Sequence, residues 1–282
     1  MEALREALRS SAAALVIVLA GASATAQSSD LFAQSAQAVL EKASNARSDS
    51  LRLSWLLMDV RNGQVLASHW SGVNKPIPVG SLTKPFVALA YSRTHIGFPH
   101  YICAGTSTRC WLPRGHGSLS LEQAVTFSCN SYFLQLAKEI SPTAMLQVAS
   151  EYGLSAAPAP ATPAELIGLD SGWRIAPLDL GHAYVRMTSQ PDTASIRNGM
   201  RQAALTGTAH SLAAEDAIAK TGTAPCIRDC LASGDGLVVV LTPSDNPRLL
   251  LLLRKRGTTG AAAAAIAAGM LKTLREDHVI QH

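Results

Sequence analysis

Strand-forming sequence lies at two places far apart in this chain, and that separation constrains the fold more than any other feature. Leu51 to Val60 and Gln64 to Trp70 read as strands joined by Arg61-Asn62-Gly63. Asn-Gly between apolar runs marks a hairpin, because both residues tolerate positive φ. β character returns only at Ala217-Ile218-Ala219-Lys220-Thr221-Gly222, Gly236 to Leu241 and Arg248 to Arg254. The last two are linked by Pro243-Ser244-Asp245-Asn246-Pro247, which is dense in turn formers. An amphipathic helix is expected over Leu31 to Ser44, and an alanine-rich helix over Gly260 to Leu274 closes the chain. The predicted class is α+β: an antiparallel sheet built from both ends of the chain, flanked by helices, with an all-helical subdomain inserted. Trp55, Leu56, Val238, Val239 and Leu250 to Leu253 are expected to fill its buried faces.

The middle of the chain carries helical periods. They follow Ser81 through Phe86-Val87-Ala88-Leu89-Ala90, start at Ser120, and recur over Tyr132 to Ile140, Met145 to Tyr152, Pro177 to Thr188 and Arg197 to Ala204. Gly97 to Gly117 reads as loop, and Ala156 to Pro163 as a flexible connection.

The N-terminus reads as an export signal. Arg5 and Arg9 precede the apolar run Ala12 to Leu19, and Ala24-Thr25-Ala26 offers a small-x-small cleavage pattern. The expected organisation is a signal at residues 1–26 and one domain over 27–282, in the periplasm or cell envelope, an uncleaved anchor being the alternative. A net charge of +4, evenly spread over 282 residues, argues against nucleic acid. Five cysteines suit an oxidising compartment. Local bridges Cys103–Cys110 and Cys226–Cys230 are expected, leaving Cys129 over. Metal ligation is disfavoured, because no C-x-x-C spacing occurs and no histidine pair stands beside the cysteines. Five reduced thiols remain the third arrangement.

Three polar clusters interrupt the apolar patterns. Ser81 and Lys84 are three apart, nearly one helical turn, so both side chains share a face. A neutral amine there can take the proton of a serine nucleophile. With 28 Ser and 7 Lys in the chain, S-x-x-K arises by accident about 0.7 times. Ser128-Cys129-Asn130 breaks an apolar helical region, where a cap or turn is the plain explanation. Lys220-Thr221-Gly222-Thr223 ends a strand, and alone it reads as a solvated terminus and turn. K-T-G is expected only about 0.03 times by chance, and all three clusters in this order far below one per cent.

S-x-x-K with S-D-N and K-T-G marks penicillin-binding proteins and class A β-lactamases. The chain resembles the transpeptidase domain of penicillin-binding proteins. Gly80-Ser81-Leu82-Thr83-Lys84-Pro85-Phe86 is similar to the family's nucleophile segment, and Ser128-Cys129-Asn130-Ser131-Tyr132-Phe133 to its second motif. Ile167-Gly168, Ala176-Pro177-Leu178-Asp179-Leu180, Gly207-Thr208-Ala209 and Asp235-Gly236 resemble further family segments. The resemblance covers Leu51 to Leu274, and neither a glycosyltransferase region nor a large N-terminal pedestal is expected.

The resemblance implies that Ser81 is acylated, Lys84 is its base, Ser128 relays a proton and Asn130 holds both Lys84 and the substrate backbone. Burial, which disfavours its charged form, and Lys220 as a second cation nearby would together keep Lys84 neutral. Lys220, Thr221 and Thr223 would hold a terminal carboxylate, with Gly222 between them. The backbone N–H groups of Ser81 and Thr223 would form the oxyanion hole. It implies peptidoglycan stem peptides ending in D-Ala-D-Ala as substrates, β-lactams as covalent inhibitors, and no cofactor and no metal. Membrane or envelope partners are left unspecified. Two departures stand out. Cys129 replaces the acid of S-D-N, and Glu165 to Asp170 does not match the E-x-x-L-N of class A β-lactamases. A rapidly deacylating β-lactamase and a catalytically silent domain binding β-lactams or muropeptides are the alternatives.

Overall fold

The two strand-forming regions meet in one sheet. The computed structural model describes residues 30–45, 52–226 and 234–280; the expected export signal and Cys230 lie outside them. Helix α1 spans 30–45. The hairpin follows as β1 (Leu53–Asp59) and β2 (Val65–His69), with Gly63 at φ +74° in its turn. β3 (Ile77–Pro78) leads through a 3-10 turn, Gly80–Thr83, into α2 (Lys84–Ser92). The inserted block contains β4 (Tyr101–Cys103), β5 (Gly117–Leu119), α3 (Leu121–Thr126), α4 (Asn130–Ala137), α5 (Pro142–Tyr152), α6 (Pro163–Leu166), β6 (Arg174–Ile175), α7 (Pro177–Thr188) and α8 (Ala194–Leu205). β7 (Ile218–Ala224), β8 (Asp235–Thr242), β9 (Leu249–Arg256) and α9 (Gly260–Glu276) complete the chain.

The main sheet runs β2-β1-β9-β8-β7, and every neighbouring pair is antiparallel. The first hairpin is thus joined to the last three strands through β1 and β9, where Trp55 faces Leu253 and Leu56 faces Leu252. Side chains alternate across a strand. Trp55, Leu57, Val238, Val240, Leu251 and Leu253 pack in one apolar layer with α1 and α9. Leu56, Met58, Val239, Leu241, Leu250 and Leu252 pack in the other with α2 and the helical block. Burial on both faces explains why β8 and β9 read as unbroken Val and Leu runs.

Local signals fix the helix ends. Ser120 and Gln123 close a capping box at α3. Ser141 caps α5, Pro142 opens it, and Gly153 ends it at φ +71°. α7 keeps its expected bounds, whereas α4 and α5 begin at Asn130 and Pro142, earlier than expected. The expected loop Gly97 to Gly117 contains β4 and leads into β5, which pair with each other; three residues are too few to show a period. Among the described residues, no helix is long and apolar enough to cross a membrane.

Candidate active site

Two of the three polar clusters sit at the edge strand β7 and the 3-10 turn packed against it. Ser81 lies in that turn, half-buried, and Lys84 is the first residue of α2. Gly222 makes the approach of turn and strand feasible. A Cβ there would lie 2.8 Å from the Val79 carbonyl oxygen and 3.3 Å from the Leu82 nitrogen. Gly80, at φ +57°, faces the Thr223 carbonyl oxygen, which a Cβ would meet at 2.7 Å. The Tyr184 hydroxyl, on α7, donates to the Leu82 carbonyl at 2.8 Å and pins the turn from behind.

The third cluster arrives on the link between α3 and α4. Ser128 N–H bonds the Val125 carbonyl, and Cys129 N–H bonds the Ala124 carbonyl at 2.9 Å. Ser128 itself is left-handed, at φ +49°. This is a Schellman closure with serine at the position glycine usually takes. It ends α3 and lets α4 start at once, with Cys129 as its N-cap. As a result the Ser128 carbonyl, the Ser128 hydroxyl and the Asn130 amide all reach Lys84.

Both lysines are fully buried. Lys84 Nζ donates to the Ser128 carbonyl at 2.8 Å and to Asn130 Oδ1 at 2.6 Å, and lies 3.4 Å from Ser128 Oγ. None of these bonds goes to Ser81. The Phe133 ring lies under the amine, its centroid 5.6 Å away. Lys220 Nζ donates to Ser128 Oγ and to the Thr221 carbonyl, each at 2.7 Å. The Ser128 hydroxyl therefore stands between the two amines. A neutral amine has two N–H groups and one lone pair. In Lys84 two carbonyl-type acceptors take both N–H groups, so the lone pair is left for an incoming hydroxyl proton.

Burial pushes Lys84 down to about 7, by removing water from its charged form. Burial also carries Lys220 well below the usual lysine range, and the charge of Lys84 adds to it. Of the two effects expected from the sequence, burial is the leading one for both amines, and the two lysines also repel each other through the Ser128 hydroxyl they share.

The remaining expected residues divide. The Thr221 hydroxyl donates to Thr208 Oγ1 at 2.6 Å, drawing Gly207-Thr208-Ala209 to the strand. Thr223 is exposed on the edge strand, and its hydroxyl oxygen accepts the Gly260 N–H at 3.0 Å. That bond ties β7 to the start of α9 and leaves the Thr223 oxygen less free for substrate than expected. Glu165 closes a capping box at α6 by accepting the Thr162 N–H at 2.7 Å.

Sequence reasoning gave no role to Thr208, Tyr184 or Phe133. Tyr184 had a signal: it falls on the buried stripe of α7 with Leu180, Ala183 and Met187, and a buried tyrosine hydroxyl needs an acceptor. The cysteines also differ from expectation. Cys103 and Cys110 are free thiols rather than a bridge, while Cys129 is free as expected. Cys226 is disulfide-bonded. The hairpin β4–β5 and the α3–α4 link bring Cys103, Cys110, His116 and Cys129 together, their ligand atoms all within 4.8 Å of one another. Sequence spacing hides this, because the histidine is single and Cys129 comes from another element.

An antiparallel sheet closed by both chain ends thus meets a helical subdomain at two buried lysines beside its edge strand. Residues 53–191 match the family model described as penicillin binding protein transpeptidase domain, which supports such a domain here. The match contains the first two clusters, while Lys220-Thr221-Gly222 lies beyond it and is added by the fold. No curated protein matches the sequence. Among solved structures, Pseudomonas aeruginosa PBP2 in complex with WCK 5153 is 18% identical with a TM-score of 0.68, covering 86% of this chain and 76% of that one. The TP domain of Burkholderia pseudomallei penicillin-binding protein 3 is 17% identical with a TM-score of 0.68, covering 87% and 95%. PBP2 of Helicobacter pylori, solved with MreC, is 18% identical with a TM-score of 0.71, and this chain spans 63% of it. At such identities the likeness is one of fold.

Proposed function

We propose that this chain is a serine-type D,D-transpeptidase or carboxypeptidase that acts on D-Ala-D-Ala stem peptides of peptidoglycan through an acyl-Ser81 intermediate. One observation carries the reading. A lysine with no exposure, one turn from Ser81, has both N–H groups taken by Ser128 O and Asn130 Oδ1, and a second buried lysine shares the Ser128 hydroxyl. Such a pair has little value as plain structure, since burying two amines costs stability.

In this reading Ser81 Oγ attacks the carbonyl carbon of the penultimate D-Ala, and its proton passes to Lys84 Nζ. The oxyanion forms against the backbone N–H groups of Ser81 and Thr223; one such donor is worth about 2.7–4 kcal/mol. The C–N bond then breaks, and the proton returns through Ser128 Oγ to the leaving D-Ala nitrogen. Lys220, with Thr221, holds the terminal carboxylate, and the extended peptide lies along β7 as a further strand. An amine or water then takes the acyl group. β-Lactams acylate Ser81 by the same route. The capping box that engages the Glu165 carboxylate speaks against its activating a deacylating water, so a β-lactamase is the weaker reading. The setting is the cell envelope.

Intact-mass analysis after incubation with a penicillin tests this. A stable one-drug adduct that disappears in Ser81→Ala is expected. Drug turnover without an adduct would move the assignment to a β-lactamase, and an inert wild type would leave a silent binding domain. A D-Ala-D-Ala peptide assayed with and without an amine acceptor then separates cross-linking from trimming.

A further inference from the structure

The cysteine cluster lies beside the site, yet the acyl-transfer chemistry does not use it. Cys103 ends β4, Cys110 follows a 3-10 turn, His116 precedes β5, and Cys129 is the middle residue of Ser128-Cys129-Asn130. The three thiols are buried. His116 Nδ1 lies 3.5 Å from both Cys103 Sγ and Cys110 Sγ. Cys110 Sγ lies 3.8 Å from Cys129 Sγ. A disulfide needs sulfurs about 2.05 Å apart. Zinc–sulfur bonds of about 2.3 Å and a zinc–nitrogen bond of about 2.0–2.1 Å instead set tetrahedral edges of about 3.8 Å between sulfurs and about 3.6 Å between sulfur and nitrogen. The two sulfur–nitrogen separations and the Cys110–Cys129 separation match those edges, and the remaining ligand atoms lie within 4.8 Å of one another.

Gly105, at φ +74°, folds the loop so tightly that a Cβ would lie 1.9 Å from the Pro113 oxygen. The imidazole is held by aromatic rings, stacked on Phe127 at 5.4 Å and edge-on to Trp111 at 5.3 Å. Cys226 is disulfide-bonded, whereas these three thiols stay unpaired at close range.

We propose that Cys103, Cys110, His116 and Cys129 bind one zinc ion, and that this ion fixes the turn carrying Ser128 and Asn130. Four protein ligands close the tetrahedron and leave no open position, so the ion is structural. Its effect on acylation comes through position. Cys129 is at once a ligand, the last residue of the Schellman closure and the N-cap of α4, so tying its sulfur to β4 and the loop before β5 clamps the backbone between the two groups that hold Lys84. The metal assignment is independent of the acyl-transfer reading; the positioning effect rests on it.

The test uses the full chain purified without chelator. Elemental analysis should find one zinc ion per chain. Cobalt exchanged into the wild-type protein should give the intense visible bands of a tetrahedral site with sulfur-to-metal charge transfer. Cys103→Ser and His116→Gln should each lose the zinc; the cobalt spectrum decides the question even where a variant does not fold. A folded wild type that holds no zinc and takes up none when zinc is supplied, or that shows two of the three cysteines joined in a disulfide, overturns the site. Chelation of the wild type should slow acylation by a fluorescent penicillin at least tenfold, and zinc should restore it. Stoichiometric zinc with acylation unchanged on its removal overturns the positioning effect alone. No acylation even in the zinc-loaded protein counts against the acyl-transfer reading instead.

Discussion

At the scale of single residues the chemistry turns on which amine is neutral. Lys84 and Ser81 were legible as a pair from their spacing, and burial and a second cation were expected to neutralise Lys84, but the groups that bury it were not legible. Spacing places Lys84 near Ser81; only packing shows that Phe133 and the α3–α4 link close over the amine. The pH dependence follows with a definite sign. Burial sets Lys84 at about 7, so the charged form prevails below that value and the basic form above it. Acylation of Ser81 by a penicillin should therefore rise with pH through about 7 and level off on the alkaline side, as for a general base. Stopped-flow or quenched acylation rates across that range check it, and a rate that is flat or falls would remove Lys84 as the base. Lys84→Met keeps much of the side-chain length, loses the amine, and should slow acylation on the order of 10²–10⁴-fold with the thermal transition preserved.

At the scale of elements, the S-x-N cluster is a helix junction before it is a catalytic motif. The polar break in an apolar helical region was legible as a cap or turn, and it proves to be both. What the letters did not show is that Ser128 takes a left-handed backbone, a conformation that costs a non-glycine residue about 1 kcal/mol or more. Ser128→Gly removes that strain and the hydroxyl together. Its melting temperature should stay level or rise while penicillin acylation falls by at least an order of magnitude; lower stability with full activity would contradict this account of the turn. Tyr184→Phe probes the opposite side. It leaves the buried Leu82 carbonyl without its donor, a cost of about 1–2 kcal/mol. It should lower acylation too, because Leu82 lies within the turn that carries Ser81. If denaturant titration shows the loss and acylation is untouched, Tyr184 supports the fold without positioning the nucleophile.

At the scale of the whole molecule, the sheet topology was the most legible feature, since apolar strand patterns stood at both ends of the chain and the β1–β9 pairing joins them. The ion pairs that lock this closure were not legible, because nothing local couples residues so far apart in sequence. Arg275, at the end of α9, makes a two-pronged pair with Glu215 just ahead of β7, its Nη2 donating to Oε1 at 2.8 Å. The two side chains are 15% and 6% exposed. A pair this buried is held less by net attraction than by the cost of separating it: removing one partner strands a charge away from water, at about 3–5 kcal/mol. Arg275→Met should destabilise the chain by about 3 kcal/mol in urea. Arg275→Met with Glu215→Leu should recover most of the loss, because apolar groups of similar volume often replace a buried pair without penalty. β7 itself is held by its ladder to β8 and by the Thr223–Gly260 bond, so the rate of Ser81 acylation in the folded fraction of both variants should match wild type. A slowed rate in the stable double variant would mean that the pair also sets the position of Lys220. Equal instability of single and double variants would mean that its attraction, rather than the stranded charge, holds α9 against the strand.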